Sequence, residues 1–287
     1  MPPYCDQFYF IQMAKYYVSS TSDAAILSVE VNGMKLIDRL EIAFKMTPVS
    51  ANKQLVYTDD NFRGVDFGFR DAIVITGDLC FPSILKYRAA NQLADLFDQL
   101  NNKSKAQKYR EIASQIKQDI PLVFSDKKGL LLASTGKSRQ PDVWATALAV
   151  YYNILEGDIA MKACQALSDA YINGVLAYKG NIRHVLTTDD YSETTAWEKT
   201  TVDKNRYQNG AWWGTPTGWV CYAISKVNRD NARRLAKEYI DDLRENDFRK
   251  CVGFGAPYEC FYPQSYKQNP LYLATVACPY IIFKTFF

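Results

Sequence analysis

The segment Leu79–Leu122 reads LCFPSILKYRAANQLADLFDQLNNKSKAQKYREIASQIKQDIPL and contains two helical patterns separated by a short break. Apolar side chains recur at helical spacing through residues 79–101, and a second pattern with one charged face follows it. The polar run Asn101-Asn102-Lys103 ends the first helix, and Ser104 is expected to cap the second. A break this short predicts an antiparallel helical hairpin.

The same alternation recurs along the chain and predicts an all-α fold of helical hairpins. Roughly nine helices are expected, at residues 6–19, 23–45, 79–101, 104–122, 140–155, 158–174, 210–227, 229–246 and 271–287. Apolar helices suit an inner ring and amphipathic helices an outer ring, which indicates an α/α toroid. Without a linker or a shift in composition, residues 1–287 are expected to form a single domain. Function is expected in the long loops at residues 47–78, 177–208 and 247–270.

Composition excludes several classes of partner. The net charge of +3 is too small to indicate a nucleic-acid or membrane partner. No apolar run reaches the length of about 18 residues that a transmembrane helix needs. The start Met1-Pro2-Pro3-Tyr4-Cys5-Asp6 lacks the basic and apolar parts of a signal peptide, which predicts a cytoplasmic location. Aromatic residues make up 14% of the chain, so either an aromatic-lined cleft or a ring-rich core is expected.

Metal and cofactor chemistry are not expected from this sequence. The seven cysteines are scattered without a Cys-x-x-Cys pair, and most lie in apolar helical patterns, where cysteine behaves as a small buried hydrophobe. The single histidine, His184, excludes any mechanism that needs two imidazoles.

Carboxylates beside aromatic residues are the chemistry that the long loops offer. The first loop holds Asp66, Asp71 and Asp78, the second holds four acids between Asp189 and Glu198, and the third holds Glu259. Two separated carboxylates are what glycoside hydrolysis requires, since one protonates the leaving oxygen and the other activates water. Aromatic rings suit the apolar faces of sugars. The alternative is that these acids only cap backbone N–H groups where helices begin.

Three motifs resemble those of the six-hairpin glycosidases, a superfamily of (α/α)6-toroid hydrolases that includes glycogen-debranching glucosidases, trehalases and rhamnosidase-like enzymes. Asp66-Phe67-Gly68-Phe69-Arg70-Asp71, followed by Thr76-Gly77, resembles their acid-bearing segment. The loop from Tyr207 to Trp219, with Asn209-Gly210-Ala211-Trp212-Trp213, is similar to their Asn-Gly-x-x-Trp loop. Tyr258-Glu259-Cys260-Phe261-Tyr262-Pro263 resembles their late segment that carries a general base.

The resemblance implies an inverting glycoside hydrolase acting on an oligosaccharide or glycoside. Asp71 would be the general acid, with Asp66 as its competitor, and Glu259 would be the general base. Carbohydrate subsites would be lined by eight residues, of which Trp212 and Trp213 are equally suited to packing in the core. These are Phe69, Arg70, Arg183, His184, Asn209, Trp212, Trp213 and Tyr258.

One departure from the superfamily leaves alternatives open. Six hairpins need twelve helices, so the missing ones would precede Asp6, and an incomplete ring predicts homo-oligomers because it exposes apolar surface. A catalytically silent toroid that binds carbohydrate or acts as a scaffold is the second hypothesis. A sugar epimerase is a third, although a chain with one histidine argues against it.

Overall fold

The computed structural model describes residues 5–60, 71–251 and 255–286. It divides into two compact units. Unit 1 comprises Met1–Asp71, Ile75–Phe124 and Ser134–Lys137, and unit 2 comprises Ala72–Val74, Ser125–Ala133 and Ser138–Phe287. The expectation of a single domain therefore stays a prediction.

Unit 1 is built on the helical hairpin that Leu79–Leu122 predicts. Its helices are α1 (Asp6–Thr21), α2 (Leu36–Lys45), α3 (Cys80–Gln99) and α4 (Lys103–Phe124), and its strands are β1 (Glu30–Val31), β2 (Met34–Lys35), β3 (Tyr57–Thr58) and β4 (Gly77–Asp78). The strands pair as two antiparallel hairpins, β1 with β2 and β3 with β4. Helix α3 packs along α4, and α1 packs against both α2 and α3.

The turn between α3 and α4 differs in detail from the expectation. Helix α4 begins at Lys103, and the cap is Asn102, whose Oδ1 accepts a hydrogen bond from the Lys105 N–H at 3.1 Å. Asn101 takes a positive φ of 57°, a conformation that asparagine tolerates well. The expected cap, Ser104, is therefore wrong by two positions.

The expected helix at residues 23–45 is also wrong. A 3-10 turn at Ala24–Ser28 and the β1–β2 hairpin replace its first half, and only α2 remains helical. Asn32 and Gly33 both have positive φ, 51° and 72°, which is the backbone of a two-residue hairpin turn. This Asn-Gly signal outweighs the apolar periodicity around it.

A charged cluster joins α2 to α4 in unit 1. Burial alone would raise the pKa of Glu41, but hydrogen bonds from Lys105, Lys45 and Tyr109 outweigh burial and lower the pKa from 4.5 to about 2. The three donors lie 2.7, 2.9 and 3.0 Å from the Glu41 carboxylate oxygens. Glu41 thus carries a full negative charge at neutral pH.

Replacing Glu41 with glutamine is expected to destabilise α2 and α4 at pH 7 by about 2 kcal/mol, after allowance for solvent screening. Because folding lowers the pKa of Glu41, its contribution is complete above pH 4.5 and disappears as the pH falls to about 2. Hydrogen–deuterium exchange of α2 and α4 at several pH values measures this. Glu111→Gln, an exposed change on α4, is the control. A difference between wild type and Glu41→Gln that persists at pH 2 contradicts the prediction.

Unit 2 repeats the pairing of apolar and amphipathic helices. Its helices are α5 (Val143–Tyr151), α6 (Gly157–Ile172), α7 (Thr217–Ser225), α8 (Arg229–Glu245) and α9 (Leu273–Phe286). Its strands are β5 (Leu131–Leu132), β6 (Pro141–Asp142), β7 (Ala177–Tyr178), β8 (Asn181–Ile182), β9 (Tyr258–Tyr262) and β10 (Tyr266–Pro270), which pair antiparallel in sequence order. Helix α7 packs against α5, α6, α8 and α9. It begins at Thr217 rather than at residue 210, and residues 212–213 before it form β-bridges instead of helix.

The predicted fold class is confirmed for the described ranges. They are mostly helical, with helices packed in pairs and small two-stranded hairpins at the connections. Helix α5 is buried along Val143–Val150, as an inner helix should be, whereas α8 is buried only along one stripe. No helix in the described part of the chain is both long and apolar enough to cross a membrane.

Candidate active site

Three segments of unit 2 that lie far apart in sequence meet at residues 212 and 213. Trp213 exchanges two backbone hydrogen bonds with Ile182 of β8, at 2.8 and 3.0 Å, and Trp212 exchanges two with Phe261 of β9, also at 2.8 and 3.0 Å. Residues 212–213 thus connect the β7–β8 hairpin to the β9–β10 hairpin. Since successive side chains of an extended chain point to opposite faces, the two tryptophans face different surroundings.

Trp213 lies in a buried aromatic cluster with the only histidine. The His184 ring stacks on Trp213 with centroids 5.5 Å apart and meets the edge of Trp144 at 3.7 Å. Trp144 Nε1 donates a hydrogen bond to the backbone carbonyl of Arg183 at 3.1 Å. All three rings are at most 2% exposed. This cluster holds the backbone beside β8 in place, and substrate contact by His184 or Trp213 stays a prediction.

The Arg183 side chain lies beside the Trp212 ring, and three oxygen atoms accept hydrogen bonds from it. Its guanidinium carbon lies 5.8 Å from the Trp212 ring centroid. Nε donates to the Gly210 carbonyl at 3.0 Å, and Nη2 donates to both Asp190 oxygens at 3.0 and 3.3 Å. Lys204 Nζ binds the same carboxylate at 2.6 Å. Asp190 is thus shared by two cations, which fixes the planar Arg183 group beside an aromatic ring.

Gly210 is required by this arrangement. It has a φ of +108°, and a Cβ added there would lie 2.5 Å from Arg183 Nη2. Asn209, the preceding residue, is 2% exposed, and its side chain forms hydrogen bonds within the loop. Its Oδ1 accepts hydrogen bonds from the Ala196 N–H at 2.7 Å and the Thr195 hydroxyl at 3.2 Å, and its Nδ2 donates to Val202 O at 2.9 Å. Asn209 therefore positions the loop, and a sugar contact by it stays a prediction.

A cavity of about 660 Å³ opens on the Trp212 side. Its wall combines two aromatic rings with charged and hydroxyl groups: Trp212, Tyr262, Arg183, Asp190, Lys204, Glu193, Asn205, Ser192, Thr187 and Thr188. Its volume falls in the range of about 300–1,000 Å³ that is usual for ligand pockets. Rings beside fixed hydrogen-bonding groups suit a ligand with both apolar faces and hydroxyls.

Glu259 is the second residue of β9, two residues before Phe261, which pairs with Trp212, and it is not among the residues that line the 660 Å³ cavity. It is 4% exposed, and Asn269 Nδ2 donates a hydrogen bond to its Oε2 at 2.6 Å. The Tyr272 hydroxyl donates a second hydrogen bond to the carboxylate, and burial together with the charge of Glu259 raises the pKa of Tyr272. Two donors thus orient the Glu259 carboxylate from the β10–α9 side.

A second, smaller cavity of unit 2 includes Tyr258, which the sequence had singled out, and Asp242, which it had not. Burial raises the pKa of Asp242, against the opposing effects of a hydrogen bond from Asn181 and the nearby Lys179. Asp242 lies on the buried stripe of α8 after Leu235 and Tyr239. An acid on an otherwise apolar stripe was the signal that sequence reasoning missed.

Of the predicted acid-bearing segment Asp66–Asp71, the structure describes only Asp71. Asp66, Phe69 and Arg70 lie outside the described residues. Asp71 is exposed and ends the first stretch of unit 1. Asp78 lies in β4 and forms an ion pair with Lys53 at 3.0 Å, a structural role. Asp71 as general acid therefore stays a prediction. No group of three or more metal-ligating side chains occurs within the described residues.

No protein-family model matches the chain, and no curated protein matches it by sequence. Among solved structures, one titled "Sialidase" matches 72% of this chain with a TM-score of 0.51 and 12% sequence identity. The chain spans 20% of the length of that structure. At this identity the match shows only that this chain shares its fold with part of that longer protein. Membership of the six-hairpin glycosidases stays a prediction.

Proposed function

We propose that this chain is the helical domain of a glycoside hydrolase and that unit 2 holds its carbohydrate. The observation that carries the proposal is the meeting of three distant segments at residues 212–213. It places the Trp212 ring, the fixed Arg183 guanidinium and the strand of Glu259 around one extended stretch of chain. The fold shared with part of a sialidase-titled structure supports the same class of reaction.

In the proposed reaction, Trp212 and Tyr262 contact the apolar faces of sugar rings in the 660 Å³ cavity, and Arg183 and Lys204 donate to sugar hydroxyls. Glu259 is the general base that activates water, with Asn269 and Tyr272 orienting its carboxylate. Protonation of the leaving oxygen by Asp71, the acid expected from the sequence, stays a prediction. A base that activates water directly gives inversion at the anomeric carbon.

The experiment is a screen of aryl glycosides and end-labelled oligosaccharides with the purified chain, followed by proton NMR of the first product formed. The proposal expects hydrolysis of at least one glycoside with inversion at the anomeric carbon. Retention of configuration at the anomeric carbon would indicate that Glu259 acts as a nucleophile and not as a base. The proposal is overturned if the chain neither hydrolyses nor binds any member of the screen.

A second candidate function is carbohydrate binding without hydrolysis. The observation that favours it is the burial of Glu259, which is 4% exposed and already accepts hydrogen bonds from Asn269 and Tyr272. In that case an oligosaccharide binds the Trp212 cavity and no glycoside is cleaved. Binding without turnover in the same screen therefore separates the two functions.

Homo-oligomers remain a further proposal, and the exposed Met13 and Tyr16 on α1 are the apolar surface that they would cover.

Replacing Trp212 with alanine is expected to weaken oligosaccharide binding about tenfold, because the sugar loses an aromatic face. The backbone of Trp212 keeps its hydrogen bonds with Phe261, so the fold is retained. Trp212→Phe keeps a ring and is expected to lose much less affinity. Isothermal titration with a ligand from the screen measures both variants. Equal losses in the alanine and phenylalanine variants would contradict a stacking role.

A further inference from the structure

Unit 1 contains a buried cation without a buried counter-charge. Lys86 of α3 is 2% exposed, and its Nζ donates to the Gln54 carbonyl at 2.9 Å and to Gln54 Oε1 at 3.3 Å. The ammonium also lies 5.3 Å from the Phe44 ring centroid. No carboxylate among the described residues pairs with it, and burial lowers the pKa of Lys86 to about 8. Buried lysines without a carboxylate partner are rare, because a buried charge that lacks a counter-charge costs free energy.

A cavity of about 230 Å³ adjoins this lysine. Thr47 also lines it, is 3% exposed, and has a hydroxyl oxygen without a hydrogen-bond partner among the described residues. An ammonium group has three N–H donors, of which Gln54 takes two. A third Lys86 donor and the Thr47 hydroxyl are therefore available to a ligand in one small space.

The rest of the cavity wall combines apolar and positively charged side chains. Phe44, Val49 and Ile112 provide hydrocarbon surface, and the exposed Lys45 and Lys108 also line the space. A volume of about 230 Å³ corresponds to roughly eight water molecules in the liquid, which is enough for a compact organic acid. Because the cavity holds one buried cation, a ligand with one negative charge suits it better than a ligand with two.

Other charged groups nearby do not supply that negative charge. Glu41 of α2 is ionised, but Lys45 and Lys105 both bind its carboxylate. Tyr109 of α4 donates to Glu41, and burial and that carboxylate raise the pKa of Tyr109, so it stays neutral. Lys108 adds a positive charge. The balance around the cavity is therefore positive.

We propose that this cavity binds a small organic carboxylate, whose oxygens contact Lys86 Nζ and Thr47 Oγ1 and whose hydrocarbon part packs against Phe44 and Ile112. All residues that line the site belong to unit 1, and none of them lines the proposed carbohydrate cavity. It gives the buried ammonium a counter-ion and the Thr47 hydroxyl a partner.

Benzoate is the probe, benzyl alcohol is its uncharged counterpart, and inorganic phosphate is the competing anion. Isothermal titration of the full chain at pH 7 is expected to show benzoate binding at least tenfold tighter than either. Affinity for benzoate should fall as the pH rises through 8, since Lys86 then loses its proton. Equal binding of benzyl alcohol, or tighter binding of phosphate, would overturn the proposal.

Two variants test the contacts separately. Lys86→Met is expected to weaken benzoate binding at least tenfold, whereas Lys127→Met, at an exposed lysine in unit 2, should leave it unchanged. Thr47→Val removes an unpaired buried hydroxyl, so it should weaken binding several-fold without lowering the melting temperature. If Lys86→Met fails to fold, the benzoate affinity of Thr47→Val and the pH dependence of benzoate binding to the wild type test the proposal. Unchanged benzoate affinity in Thr47→Val, or an affinity that is constant from pH 7 to 9, refutes the site.

Discussion

Replacing Glu259 with glutamine should lower the rate of glycoside hydrolysis by a factor of about 10²–10⁴, the usual contribution of a general base. The amide has nearly the shape of the carboxylate and still accepts hydrogen bonds through its oxygen, so Asn269 and Tyr272 keep a partner. It does not accept the proton of an attacking water. Substrate affinity should change little, because the proposed sugar contacts come from Trp212, Arg183 and Lys204.

The matched control is Glu238→Gln on α8. Glu238 is also a partly buried glutamate of unit 2 that accepts a hydrogen bond from a tyrosine hydroxyl, that of Tyr171 at 2.7 Å. It lies on α8, outside the three segments that meet at residues 212–213, whereas Glu259 lies in β9, which is one of those segments. Steady-state kinetics of the two variants, with affinity measured separately, should show a loss of kcat only for Glu259→Gln. Comparable turnover in both variants would remove Glu259 from the mechanism.

Replacing Gly180 with alanine should destabilise unit 2 by about 3 kcal/mol or more. Gly180 lies in the turn between β7 and β8 with a φ of +73°, where an L side chain costs about 1–2 kcal/mol. A Cβ added there would lie 2.3 Å from the backbone nitrogen of Tyr239, and such overpacking adds about 1–3 kcal/mol. Helix α8 cannot yield as a flexible side chain would.

Gly174→Ala provides the control for this prediction. Gly174 has a similar φ of +70°, but nothing lies within 4 Å of an added Cβ, so only the backbone strain of about 1–2 kcal/mol applies. All five tryptophans lie in unit 2, so tryptophan fluorescence during urea denaturation follows that unit. Equal unfolding midpoints for the two variants would show that contact with α8 is unimportant.

Much of the helical scaffold follows from sequence, because its information is local. Helix α3 and helix α8 carry their apolar periodicity within a few turns, and both were predicted to within a few residues. The helix expected at residues 23–45 is wrong in its first half because two residues, Asn32 and Gly33, form a hairpin turn there.

The candidate site was predictable in its residue types but not in its assembly. Arg183, Trp212 and Glu259 could be chosen from aromatic and charged motifs. Their proximity depends on pairing of Trp213 with Ile182 and of Trp212 with Phe261, which no local pattern encodes. Lys86 and Asp242 are hard to find from sequence because one polar residue does not disturb the helical period of the apolar stripe that contains it. Only burial, which depends on neighbours distant in sequence, makes them unusual.

The pairing of residues 212–213 also fixes when the site can form during synthesis. Once residues up to about 250 have left the ribosome, helices α5 to α8 are complete, but only the Ile182 side of this extended stretch has its partner. The Phe261 side must wait for β9, and closing that loop carries an entropic cost. Nascent chains therefore expose the unpaired N–H and C=O groups of Trp212 to the cell until the last hairpin emerges, a period in which a chaperone or a neighbouring nascent chain has access to them.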